Sequence, residues 1–163
     1  MATYELRCEQ LFPLSLKETF EFFKDPANLS RITPPWLNFV IRTRDLGMAK
    51  GAEIDYTIRW MGLPLHWKTI IAEYEPPFEF VDVQAKGPYQ LWHHRHTFRP
   101  TEEGTLVTDI VHYELPLGPL GALAHRLFVR RQLQEIFHFR QEALSRILGG
   151  ATESAPPGIQ PAC

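Results

Sequence analysis

The segment Leu91–Phe98, LWHHRHTF, holds three of the chain's seven histidines within four positions, between a tryptophan and a phenylalanine. Imidazole changes charge near neutral pH, moves protons and ligates metals. A cluster of this kind suits a metal site, an acid/base pair or the polar groups of a ligand pocket. The strand period sorts the side chains. In an extended chain alternate residues share a face, so Trp92, His94, His96 and Phe98 lie on one side, and Leu91, His93, Arg95 and Thr97 on the other. The two large aromatics turn the first set inward and leave His93 and Arg95 to solvent.

Neighbouring strands supply partners. Pairing Leu91–Phe98 with Leu106–Leu115 around a turn near Glu102-Glu103 sets His96 opposite Asp109, His94 opposite Val111 and Trp92 opposite Tyr113. A turn near Gly87-Pro88 sets Asp82 near Trp92 and Phe80 near His94; a slip of two residues would keep the faces. Two histidines and two aspartates then point into one mostly apolar space. A buried carboxylate needs a partner, and His96 beside Asp109 is the evident pair, with Tyr56 or Tyr113 able to add a hydroxyl. The residues leave several readings open. The polar groups can satisfy one another and orient a ligand. They can bind a metal through His94, His96 and Asp109 or Asp82, with one position open. They can act as general acid and base in an aldol cyclisation or dehydration. They can also sit in a plain core without a cavity. No further Cys/His cluster supports the metal, so neither a metal nor another cofactor is expected.

The elements that would hold these residues follow from periodicity. Thr3–Phe12 alternates as a strand. Ser15-Leu-Lys-Glu18 is a capping box for a helix over Leu16–Lys24, and Asp25-Pro26 opens a second short helix to about Arg31. Strands are expected at Asn38–Arg44, Glu53–Trp60, Leu65–Tyr74, Phe78–Gln84, Leu91–Phe98 and Leu106–Leu115, separated by Gly- and Pro-bearing turns. A long helix over about Leu120–Leu148 carries a stripe of Leu133, Ile136, Phe137, Leu144, Ile147 and Leu148, and Gly149-Gly150 ends it. Residues 1–150 are expected to form one domain and 151–163 a disordered tail.

Composition narrows the class. With 163 residues, 44% apolar, 22% charged and a net charge of −2, the chain reads as an ordinary globular protein without the basic footprint of a nucleic-acid binder. No apolar run reaches the length of a membrane helix, and MATYELRCEQLF is unlike a signal peptide; a cytoplasmic location is expected. Cys8 reads as a small buried hydrophobe, and no disulfide to Cys163 is expected.

The order strand, two short helices, six strands, long helix resembles the helix-grip fold of the START-like, or SRPBCC, superfamily. That superfamily includes birch-pollen-allergen-like (Bet v 1-like) and polyketide cyclase/dehydrase-like families. Local sequence sharpens the likeness: W-x-T-I-I-x-x-Y-x-P-P-x-x-F at Trp67–Phe80, Gly87-Pro88-Tyr89, Trp92-x-His94-x-His96-x-Phe98 and Asp109-x-x-x-Tyr113 are similar to small bacterial SRPBCC ligand-binding proteins. The resemblance covers residues 3–149. It implies an α+β fold, a seven-stranded antiparallel sheet wrapped around the C-terminal helix, with a cavity between them for a lipid-like or polyketide-like molecule.

The expected function is therefore binding of a small hydrophobic or aromatic ligand. The expected lining is Tyr56, Phe80, Asp82, Trp92, His94, His96, Asp109, Val111 and Tyr113, plus inward residues of the long helix. The alternatives are a cyclase or dehydratase using His96 and Asp109, and an interaction module working through Arg126, Arg130 and Arg131. Leu117, Leu120, Leu123, Leu127 and Phe128 fall off the later stripe; they could border the pocket mouth, make a homodimer contact or mark a kink after Gly121. Trp36, Trp60 and Trp67 read as core.

Overall fold

The computed structural model describes residues 2–150 and 156–162. Among the described residues, eight strands form one antiparallel sheet in the order β2-β3-β4-β5-β6-β7-β1-β8. The strands are β1 (Thr3–Phe12), β2 (Val40–Ile41), β3 (Glu53–Trp60), β4 (Leu63–Glu75), β5 (Glu79–Lys86), β6 (Leu91–Thr101), β7 (Gly104–Glu114) and β8 (Gly158–Pro161). From β2 to β7 the sheet is a meander. The first strand closes onto β7 over its whole length, Thr3 opposite Glu114 and Phe12 opposite Thr105.

Local chemistry sets the boundaries. Helix α1 (Leu16–Phe23) starts at the expected capping box: the Ser15 hydroxyl accepts from the Glu18 amide and the Glu18 carboxylate accepts from the Ser15 amide. The second short helix is a 3₁₀ turn over Pro26–Arg31, capped by Asp25, whose carboxylate accepts from the Ala27 amide. Met61 and Gly62, both at positive φ, make the two-residue link between β3 and β4, a backbone shape that matches the twist of paired strands. The strand expected over Asn38–Arg44 shrinks to Val40–Ile41.

The long C-terminal helix is three segments: α2 (Pro119–Ala124), a π-helical turn over His125–Val129 and α3 (Arg130–Leu148). A π turn shifts helical phase by an extra residue. The buried positions ahead of α3 are Gly121, His125 and Val129. Leu117, Leu120, Leu123, Leu127 and Phe128 are all more than half exposed. Helix α3 buries Leu133, Phe137, Arg140, Gln141, Ala143 and Leu144 and ends at Gly149, which takes the left-handed conformation.

Two expectations are corrected. The sheet has eight strands, not seven. The eighth comes from the segment expected to be disordered: Gly158–Pro161 pairs with β1, Ile159 opposite Leu6, and Ile159 is buried. One apolar side chain and a short antiparallel ladder order this stretch despite its proline content. The rest of the expected tail, residues 151–155 and Cys163, lies outside the described residues.

The core splits into two clusters. One gathers Leu6, Cys8, Trp67, Val111, Tyr113, Leu133 and Phe137. The other gathers Phe12, Phe20, Phe80, Phe98, Val107, Ala143 and Leu144. Several elements cross from one to the other through polar residues: β1 at Gln10, β6 at His94 and His96, β7 at Asp109 and α3 at Arg140. A polar belt thus divides the hydrophobic interior, and α3 is fixed over it by Gln10, whose amide donates to the Gln141 carbonyl and the Ser145 hydroxyl.

Candidate functional site

On β6 the strand period does what the sequence implies. Trp92, His94, His96 and Phe98 face the interior, while Arg95 is exposed and pairs with Glu79. His93 is only half-buried, near His112. Register with β7 is as expected: His96 opposite Asp109, His94 opposite Val111, Trp92 opposite Tyr113. Register with β5 is shifted by two residues, with Phe80 opposite His96 and Asp82 opposite His94. The reason lies in the loop. The Gln84 side chain donates to the Tyr89 carbonyl and accepts from the Tyr89 amide, so a side chain takes over from the ladder and the turn sits later than Gly87.

The belt is a tight ionic cluster. Asp82 Oδ2 lies 2.8 Å from His96 Nε2 and 3.7 Å from His94 Nδ1. Asp109 Oδ1 lies 3.0 Å from His94 Nε2 and 2.8 Å from His96 Nδ1, though the latter is off the line of a hydrogen bond. Arg140 reaches both Asp109 oxygens at 3.4 Å. The imidazole centroids are 3.8 Å apart, and Phe80 stacks on His96 at 4.1 Å.

Environment sets the charges. Burial works against the Asp109 carboxylate, but Arg140 and the two histidines outweigh it and hold its pKa well below the ordinary value. Asp82 is also lowered: burial opposes ionisation, and His94, His96 and Arg140 win. The histidines diverge. Burial and the neighbouring His96 push His94 down despite both aspartates. Burial also opposes the His96 cation, yet the hydrogen bonds and charges of Asp109 and Asp82 lift it above the usual range. Two carboxylates and one guanidinium leave room for one shared proton on the imidazoles, which would make the buried cluster neutral.

A cavity of about 200 Å³ lies between the sheet and α3. Tyr56, Phe80, Asp82, Trp92, His94 and His96 line it. Asp109, Val111 and Tyr113 are not among its lining residues. Asp109 sits behind the histidines, beside Cys8 and Gln141. Val111 and Tyr113 are fully buried under the helix, where the Tyr113 hydroxyl meets His125 Nε2 at 2.8 Å and Tyr4 stacks on the His125 ring. The remaining walls come from α1 and the 3₁₀ turn (Phe22, Phe23, Leu29, Ile32), from Trp67 and Tyr89, and from Leu133, Ile136, Phe137 and Arg140 of α3. Trp67 stands edge-on to Trp92 at 5.4 Å and stacks against Tyr56. Trp60 also lines the cavity, and Trp36 is half exposed rather than core.

Arg140 is the charged cavity-lining residue that sequence reasoning did not single out. Its signal was present: it falls three residues after Phe137 and four before Leu144, so a charge sits inside the apolar stripe. The more conspicuous cluster is Arg126, Arg130 and Arg131, of which Arg130 donates to the Ile159 carbonyl and Arg131 pairs with Glu135 on the surface. Cys8 is buried and free, its thiol pKa pushed up by burial and by Asp109. Among the described residues, one group could hold a metal ion: Asp82, His94 and His96 offer donor atoms within 4.8 Å of one another. No described helix is long and apolar enough to cross a membrane.

A sheet gripping a C-terminal helix over an internal cavity defines the helix-grip class, the Bet v 1-like or SRPBCC fold. The model for the polyketide cyclase / dehydrase and lipid transport family matches residues 12–139, and the chain belongs to that family. Solved structures agree on the fold. TTHA0849 from Thermus thermophilus is similar at a TM-score of 0.65 and 21% identity, over 87% of this chain and 94% of that one. The di-domain ARO/CYC StfQ of the steffimycin biosynthetic pathway is similar at 0.67 and 13%, over 90% of this chain and 51% of StfQ. Ara h 8.0201 is similar at 0.60 and 14%, over 88% and 99%. No curated protein matches in sequence.

Proposed function

We propose that this protein binds a small, mostly apolar molecule, lipid-like or polyketide-like, in the cavity under α3. The carrying observation is the lining itself. Aromatic and aliphatic walls meet one polar floor of Asp82, His94, His96 and Arg140, the pattern of a pocket that gains affinity from burial and orientation from a few polar groups. Mutual pairing of the floor's charges offsets part of the cost of burying them. Asp109 supports it from behind and does not touch the ligand. A cytoplasmic carrier or sensor fits this reading.

The test is binding of an apolar fluorescent probe, anilinonaphthalene sulfonate, to the intact chain. Leu133→Trp fills the cavity and is expected to weaken the probe at least tenfold. Unchanged binding by a folded Leu133→Trp variant refutes the proposal. Native mass spectrometry of protein taken from cells then identifies the resident molecule.

A cyclase or dehydratase is the second reading, favoured by two imidazoles that face the cavity, each held against Asp82 or Asp109. A histidine held by a carboxylate inside a pocket is placed to act as general acid or base. If the site turns over a poly-β-keto substrate, His96→Gln lowers kcat by about 100-fold or more; retained turnover removes His96 from the chemistry.

A further inference from the structure

We propose that Asp82, His94 and His96 form a binding site for one divalent first-row transition metal ion on the cavity floor, its open coordination positions facing the apolar chamber. Each imidazole is gripped from two sides. Its front nitrogen, Nδ1 of His94 or Nε2 of His96, faces the same Asp82 oxygen, at 3.7 and 2.8 Å. Its rear nitrogen faces Asp109 Oδ1, at 3.0 and 2.8 Å. Metal-ligating histidines characteristically give their second nitrogen to a carboxylate, which fixes the tautomer and ring direction. Here one carboxylate stands behind both rings, hydrogen-bonded to His94 Nε2 and 2.8 Å from His96 Nδ1 off the hydrogen-bond line, and Arg140 anchors it. With Asp109 behind the rings, the front nitrogens and the Asp82 carboxylate converge.

Distances and charge fit an ion. Three donors about 2.0–2.1 Å from a tetrahedral centre lie about 3.3 Å apart, and the two separations from Asp82 straddle that value. Asp109 and Arg140 cancel; a bound ion displaces any proton held on the front nitrogens to solvent, leaving one negative charge and two neutral imidazoles around it. Two nitrogens and one oxygen suit zinc, iron(II), cobalt or nickel rather than the all-oxygen shells of magnesium and calcium. Asp82, His94 and His96 line the cavity, whereas Asp109 is not among its lining residues. A bound ion would therefore be capped by protein on the Asp109 side and open toward the ligand. The net positive charge would draw an oxygen donor, so the outer ligand would be an apolar molecule carrying a phenolate, enolate or carboxylate. That last step rests on the cavity reading above; the ion site does not.

The experiment uses the tag-free full chain, stripped with chelator and dialysed. Cobalt(II) is titrated while visible absorption is followed, and zinc(II) is measured by equilibrium dialysis with elemental analysis. One ion per chain is expected. Asp82→Asn and His96→Gln are each expected to weaken it at least 100-fold, the positioning change Asp109→Asn 10- to 100-fold, and the control His112→Gln not at all. Absence of stoichiometric binding by the unaltered chain overturns the proposal. So does full binding by Asp82→Asn or His96→Gln, or loss only in His112→Gln. Probe binding measured in chelator reads the cavity separately, so a failed metal site and a failed ligand pocket give different results.

Discussion

Replacing Arg140 by methionine tests the electrostatic account of the belt. Methionine keeps the aliphatic bulk of the side chain and deletes the cation. Arg140 lies 3.4 Å from each Asp109 oxygen, and both side chains are about nine-tenths buried. At an effective dielectric near 20, a unit pair at that separation attracts by about 5 kcal/mol. Removing the arginine also returns the cost of having desolvated it. The expected net loss is about 3 kcal/mol, the low end of what breaking a buried pair costs. For a chain of this size that lowers Tm by about 6–12 °C. Asp109→Asn alone should cost a similar amount, because it strands the guanidinium. The double variant should be less destabilised than the sum by about 2 kcal/mol, the signature of a direct pair. Urea unfolding of the four proteins, without metal, measures the cycle. Additivity within about 0.5 kcal/mol would refute the claim that Arg140 neutralises Asp109.

Three further outcomes follow from features outside the belt. His125 has its pKa lowered by burial and by Arg130, so the unfolded chain takes up the proton first as pH falls below about 6.5; its share of stability is full above that value and declines toward the folded pKa. His125→Phe, which keeps a ring against Tyr4, should flatten that part of the stability profile relative to the unaltered protein, and an unchanged difference between pH 5 and 7.5 would contradict it. Ile159→Ala should cost about 2 kcal/mol in chemical denaturation, because the side chain is buried against β1; a neutral result would mean that β8 contributes nothing. Ser15→Ala removes one arm of the capping box and should cost about 1 kcal/mol, with Ser15→Asp restoring most of it.

Much of this site could be read from the residues, and the reason is periodicity. Alternation on β6 fixed the inward set, and one tight turn at Glu102-Glu103 then fixed the partners across β7, because neither step needs long-range information. The β5 register was harder, since the Gln84 side chain occupies hydrogen bonds that a tighter turn would have left to the strands. Asp109 was placed on the correct face but at the wrong depth: a strand face says inward, not whether the helix above leaves a gap. Val111 and Tyr113 failed as lining residues for the same reason, being covered where the π turn brings His125 down onto Tyr113. Arg140 escaped because a stripe was sought among apolar residues only. β8 escaped because a single isoleucine among prolines carries no local signal; its order comes from the exposed hydrogen-bonding edge of β1.

That edge has a further consequence for how copies of this chain meet. Without β8, ten-residue β1 would offer its unpaired amides and carbonyls to any other extended chain, the usual route to sheet-to-sheet aggregation. β8 covers Tyr4–Arg7 and is itself a poor template, being four residues long and ending in a proline that cannot donate. The opposite border, β2, is two residues long. Both ends of the sheet are blunted, so a preparation that has lost residues 156–162 to proteolysis should be recognised first by its tendency to self-associate, before any change in what the cavity holds.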